Sequence, residues 1–289
     1  MRIVKGIATG VASTLLAVTL FAAGFGVCCL PIVTQVLSRA TSNAADAPYT
    51  SEQLTTLAQA TRDFTVDDYG RMAFGDEGAE QALANVILQA AETASAEGSP
   101  VADRWSAAAR AALEGKASAA SAGASAASAG ASPSATAFDA LAAVSDAYTL
   151  DADAVSHLQD CNKLIRSVAP WLWACAGASL AVLAALHIAN RRNPRCARAA
   201  ARICTAAPIA LIVALAACGI WAAADFYGFF SAFHEVLFPQ GNWTFSIDSL
   251  LICMYPLSFW MGMAAVWAAT TLVACAASLA LGAKLRRAS

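Results

Sequence analysis

The sequence predicts a mainly α, polytopic membrane protein with four transmembrane helices and a long, largely helical extracytoplasmic first loop. Three observations carry this expectation. Of 289 residues, 58% are apolar and 13% charged, with a mean hydropathy of +0.56, too apolar and too thinly charged for a soluble chain of this length. Four runs reach the roughly 20 apolar residues that a bilayer crossing needs. The charges are also segregated along the chain, so the net charge of -2 hides their pattern.

The first run, Gly6 to Leu30, follows the basic start Arg2 and Lys5. It is longer than the apolar core of a signal peptide and no clear A-x-A site ends it, so residues 1–30 are expected as a retained first helix. Residues 31–167 form the extracytoplasmic region, and residues 168–289 carry the other three spans, at Val168 to Ala189, Ala206 to Ala224 and Leu257 to Leu281. Arg191, Arg192, Arg195, Arg198 and Arg202 fill the link 190–203, and Lys284, Arg286 and Arg287 follow the last span. None of these basic segments contains Asp or Glu; all 20 acidic residues fall in the two remaining non-spanning regions. The positive-inside rule then makes both termini and the link cytoplasmic, and leaves the aromatic loop 225–256 outside.

Within the outer region, Thr50 and Gln53 stand at capping-box spacing ahead of Leu54 and Leu57, which predicts a helix that "DFTVDDYG" ends. Further helical pieces are expected around Glu80 to Glu92 and Ala102 to Leu113. Residues 117–137 read "ASAASAGASAASAGASPSATA". With no charge and no large side chain, this stretch cannot bury enough apolar area to offset ordering, so a flexible insertion is expected. Asp151 can cap a helix that carries Val155, Leu158 and Ile165 on one face and His157, Asp160, Cys161 and Leu164 on another. That helix runs toward the second span, with His157 about 16 Å above its start and Pro170 placed to bend the junction.

The nine cysteines have no CxxC spacing, and most read as small apolar residues, as at Cys28, Cys29, Cys175, Cys218 and Cys275. A Cys161–Cys253 bridge is open as an alternative. Gly177, Ala178 and Ser179 read as a close-packing surface. Nucleophile elbows, P-loops and zinc motifs are absent from the sequence, and nothing in it points to nucleic acid.

Chemistry concentrates on the histidines. His187 closes the second span with no acid beside it and reads as interfacial. His157 precedes the second span and His234 follows the third; a short link joins these spans, so the two imidazoles are expected to meet near the outer membrane surface. Asp160, Glu235 and Asp248 lie close by in sequence. An imidazole near its ordinary pKa of about 6.5 can take and return a proton. Phe226, Phe229, Phe230, Phe233, Phe238 and Phe245 are half of the twelve phenylalanines, and with Tyr227, Trp243 and Tyr255 they suit a membrane interface. A metal reading would draw on His157, Asp160, His234 and Glu235, though an adjacent His-Glu pair does not readily aim both side chains at one ion.

The stretch "FHEVLFPQGNWTFSIDSLLICMYP" resembles the motif of the bacterial lipoprotein intramolecular transacylases, on Phe233, His234, Trp243, Asp248, Leu250 and Pro256. "SHLQDCNKLI" resembles the family's second motif, a histidine followed three residues later by an aspartate, on His157 and Asp160. Ala154 stands where the family often has an acid. The resemblance implies a four-span enzyme of the bacterial cytoplasmic membrane, with its active site at the extracytoplasmic face and no cofactor. Its partners would be diacylglyceryl-modified lipoproteins and membrane lipid. It would move the sn-2 acyl chain from glycerol oxygen to the amino group of the N-terminal cysteine, with His157 and His234 catalytic and Asp160, Phe233, Glu235, Trp243 and Asp248 supporting or positioning. A non-catalytic membrane scaffold or sensor, binding a partner through the outer loop, is the alternative reading.

Overall fold

A computed structural model describes residues 2–45, 47–121, 133–190, 193 and 195–287. Those residues are predominantly helical and include no strand. Four helices are long and apolar enough to cross a membrane: α1 (Arg2–Cys28), α7 (Ala152–Asn190), α8 (Arg195–Ala224) and α11 (Leu257–Arg287). The expected fold class therefore holds. Between them lie α2 (Pro31–Thr41), α3 (Ser51–Val66), α4 (Arg71–Ser95), α5 (Ala107–Ser121), α6 (Pro133–Val144), α9 (Phe226–Leu237) and α10 (Leu250–Met254). The chain divides into two compact units. The first comprises Met1–Cys29, Ile165–Leu237 and Ala264–Ser289; the second comprises Leu30–Leu164 and Phe238–Met263.

In the first unit, Ala12, Leu16 and Leu20 of α1 cluster with Ile203, Cys204, Ala207 and Leu211 of α8 and with Cys275 of α11. Small residues let these helices approach closely. A methyl group on Gly24 would lie 2.7 Å from the Trp267 backbone carbonyl, and the Trp267 indole N–H donates to the Phe21 carbonyl at 3.3 Å. The Ser278 hydroxyl donates to the Cys204 carbonyl at 3.0 Å. Of the residues expected as a packing surface on α7, Ser179 is buried with its hydroxyl 3.1 Å from that of Thr19, whereas Gly177 faces open space. α7 continues through Pro170.

The second unit has its own core, in which Tyr49, Leu54, Leu57, Phe64, Leu83, Ile87, Leu88, Leu141, Leu150, Leu250, Met254 and Phe259 are fully buried. The Thr50–Gln53 capping box opens α3 as the sequence predicts. Left-handed Tyr69 and Gly70 turn the chain into α4, which is longer than expected and interrupted at Gly75 (φ 72°). The helix expected from Ala102 divides into a single turn at Ala102–Arg104 and α5. Trp105 is the cause: its indole N–H reaches the Pro48 carbonyl at 2.8 Å, while Arg104 donates to the Ala44 and Ala47 carbonyls at 2.7 Å. The edges of the alanine–serine stretch are helical, through Ser121 and from Pro133; residues 122–132 of that expected insertion, with Arg191 and Arg192 of the basic link, lie outside the described residues. All nine cysteines are free thiols, so Cys161 and Cys253 form no bridge.

Candidate active site

α7 begins as its sequence dictates, with the Asp151 carboxylate accepting the Ala154 N–H at 2.7 Å. Ala154 faces the core at 3% exposure, where a carboxylate would be buried among apolar groups. Asp153 is exposed. One turn later, His157 is half-buried against two rings of the loop that follows α9. The Phe238 ring lies edge-on at 4.7 Å between centroids, and Phe245 lies at 5.7 Å. The Cys161 thiol stands 3.7 Å from His157 Nε2, one turn along the same face.

A polar clasp holds the loop to α7. The Asn242 amide donates both of its hydrogens, to the Ser156 hydroxyl at 3.0 Å and to the Asp160 carboxylate at 3.2 Å. Ser156 and Asp160 are one helical turn apart, so a single planar amide bridges them. Gln240 donates to the same carboxylate oxygen, and Lys163 pairs with the other at 3.2 Å. Between the two amides Gly241 adopts φ 82° and closes a turn onto the Phe238 carbonyl, a conformation that favours glycine. Trp243 is half-buried in this loop. Asp248 is exposed; its backbone, rather than its carboxylate, makes the local hydrogen bonds to Ser246 and Cys253.

The second histidine belongs to the first unit. Asp225 caps α9 by accepting the Gly228 N–H at 2.8 Å. Near the other end of α9, His234 Nδ1 lies 2.8 Å from the Phe230 carbonyl. A carbonyl only accepts, so Nδ1 carries the hydrogen and Nε2 of the neutral ring carries the lone pair. Phe230 covers the imidazole at 3.9 Å and Phe233 meets it edge-on at 5.3 Å. Burial lowers the His234 pKa below its ordinary value, partly offset by the bond to the carbonyl. Glu235 is exposed, and Phe233 is 51% exposed.

The two site segments thus occupy different units, His157, Asp160, Trp243 and Asp248 in the second and Phe233, His234 and Glu235 in the first. Among the described residues no group of three His, Cys, Asp or Glu side chains could hold a metal ion. Ser156, Gln240 and Asn242 were not singled out by the sequence. The signal for Gln240 and Asn242 there is a polar "PQGN" turn inside an aromatic stretch.

Residues 135–260 match the family model of the lipoprotein intramolecular transacylase Lit. That is the family the two motifs resemble. The Lit match covers rather less than half of the chain, yet takes in every candidate site residue together with the Asn242 clasp. No curated protein and no solved structure matches the chain.

Proposed function

We propose that this protein catalyses intramolecular O-to-N acyl transfer on diacylglyceryl-modified lipoproteins in the bacterial cytoplasmic membrane. The observation that carries the reading is the Lit match over the segment holding both histidine motifs. The substrate's α-amino nitrogen attacks the sn-2 ester carbonyl; the C–N bond forms, the C–O bond breaks, and the glycerol oxygen departs as a hydroxyl. The product is an N-acylated, lyso-form lipoprotein. One proton must leave the ammonium and one must reach the glycerol oxygen.

Amine and ester belong to one substrate molecule, so holding the headgroup folded supplies much of the rate, a contribution that reaches several kcal/mol. The remaining requirement is proton transfer. His234, with burial favouring its neutral form and Nε2 bearing the lone pair, suits the base that takes the ammonium proton. His157, seated between Phe238 and Phe245, then serves as the group that delivers a proton to the glycerol oxygen. Asp160 holds the loop around His157, Trp243 in that loop positions the substrate, and the exposed Phe233 meets acyl chains. Glu235 and Asp248 act on the substrate headgroup from the surface.

Mass spectrometry of a lipoprotein's N-terminal lipopeptide, from cells with and without this protein, tests the proposal. The expected product shows the sn-2 chain moved to nitrogen with no net change in acyl content. An identical lipopeptide in both strains would leave the scaffold reading in its place.

A further inference from the structure

At the basic end of the first unit, α8 and α11 border an open cavity of about 300 Å³ lined by Thr205, Leu279, Ala283, Arg286 and Arg287. We propose that it binds the phosphate of an anionic phospholipid headgroup. Nothing in the acyl-transfer reading uses this cavity.

Gly282 sets the approach of the two helices. A methyl there would lie 2.8 Å from the Thr205 hydroxyl and 3.2 Å from the Ala201 carbonyl, so a larger residue would separate the helices and change the cavity. Across this contact Arg286 Nη2 donates to the Thr205 hydroxyl at 2.7 Å. An arginine that only snorkels extends its head into bulk water. Arg286 is exposed, yet its Nη2 reaches the neighbouring helix, and that bond orients a guanidinium whose forked donors match phosphate oxygens.

The charge around the cavity has one sign. Arg198, Arg202 and Thr205 fall on one face of α8 at helical spacing, both arginines are exposed, and Arg287 and Lys284 follow on α11. No acidic residue occurs within the described parts of α8 or the last turns of α11.

The cavity's remaining walls decide between a lipid and a free phosphate. Leu279 and Ala283, one turn apart on one face of α11, are apolar. A free phosphate gains nothing from such walls. A headgroup tethered to acyl chains meets the arginines with its phosphate and Leu279 and Ala283 with its glycerol and first methylenes, the combination that basic pockets between membrane helices offer.

The test uses the full chain in detergent and native mass spectrometry, with dioleoyl phosphatidylglycerol, dioleoyl phosphatidylcholine or inorganic phosphate added. Phosphatidylglycerol should give a discrete retained adduct that phosphatidylcholine and inorganic phosphate do not. Arg286→Gln/Arg287→Gln should weaken retention roughly tenfold or more. Arg39→Gln/Arg166→Gln removes the same charge from the side that the charge pattern predicts to be extracytoplasmic and should retain the adduct. Thr205→Val, which changes no charge, should weaken retention by releasing Arg286, and it decides the matter if the double arginine variant does not fold. Equal loss in both charge-removing pairs would reduce the effect to diffuse attraction and overturn the site. Equal retention of inorganic phosphate would overturn the lipid assignment. The readout involves no acyl transfer, so its outcome is separate from that of the proposed reaction.

Discussion

Each histidine has a different neighbour and therefore a different expected loss. His157→Ala empties the space between Phe238 and Phe245, and His234→Ala removes the ring under Phe230. If both move protons for one substrate, each variant should lose at least roughly a hundredfold in lyso-lipoprotein formation, and the double variant little more than the worse single one. His187→Ala, at an exposed site near the end of α7, should stay close to wild type by the same lipopeptide measurement. The pH dependence follows from His234. Burial lowers its pKa, so the folded protein keeps this ring neutral at acidities that protonate a free imidazole. Its contribution to stability is unaffected above the unfolded value of about 6.5, and declines as pH falls below that. The acid limb that His234 contributes to acyl transfer should accordingly lie below about pH 6.5, apart from that of the substrate ammonium; a pH profile that keeps the same limb in His234→Ala would exclude a depressed His234 as the base. Both histidines were legible in the sequence because their residue type is rare in this chain and each sits in a motif. Asn242 was not, because its partners Ser156 and Asp160 lie more than eighty residues away and such pairing leaves no periodic trace.

Among the elements, the loop after α9 has the most exposed consequence. Asn242→Ala removes two hydrogen bonds, one to a carboxylate, and should cost roughly 1–3 kcal/mol of stability. Asn242→Asp keeps the shape but sets a second carboxylate against Asp160, and should be worse than alanine in both thermal unfolding and lipopeptide conversion. Since misplacing a positioned group by about 1 Å can cost roughly a hundredfold, activity should fall further than stability explains. Gly241→Ala, at φ 82°, should add strain of roughly 1–2 kcal/mol and weaken the same loop. The starts of α3 and α7 were readable because capping is local: Thr50 with Gln53, and Asp151 with Ala154. The division before α5 was not, because Trp105 bonds to Pro48, far away in sequence, and a tertiary bond overrides a local alanine-rich preference.

For the whole molecule, the four long helices were legible from length and composition alone, since a single apolar segment of that length satisfies its own backbone within a bilayer only as a helix. The two-unit division was not, because it cuts within α7 and α11, where hydropathy changes gradually. Orientation rests on charge. A reporter fused at Asn193 should read cytoplasmic and one in the alanine–serine stretch external. The reverse pattern would put the proposed chemistry on the wrong side of the membrane for a lipoprotein substrate.

The second unit is assembled from two stretches of chain, Leu30–Leu164 and Phe238–Met263. Its later stretch is tied to the earlier one by main-chain bonds: the Leu250 N–H donates to the Asp146 carbonyl at 2.8 Å and the Asn43 N–H to the Cys253 carbonyl at 2.9 Å. The Tyr255 hydroxyl adds a buried contact to that of Thr61 at 2.8 Å. During synthesis, the ribosome must therefore make two long apolar helices after Leu164 before this core can close. At roughly 5–20 residues per second of elongation the delay is on the order of ten seconds, during which Leu57, Phe64 and Ile87 lack the partners that α10 and Phe259 add to this core. Nascent chains stalled before Phe238 should be cut readily by protease within residues 30–164, and chains released beyond Met263 should resist. Protection already present in the shorter chains would mean that the first stretch folds alone and that α10 docks onto a finished surface.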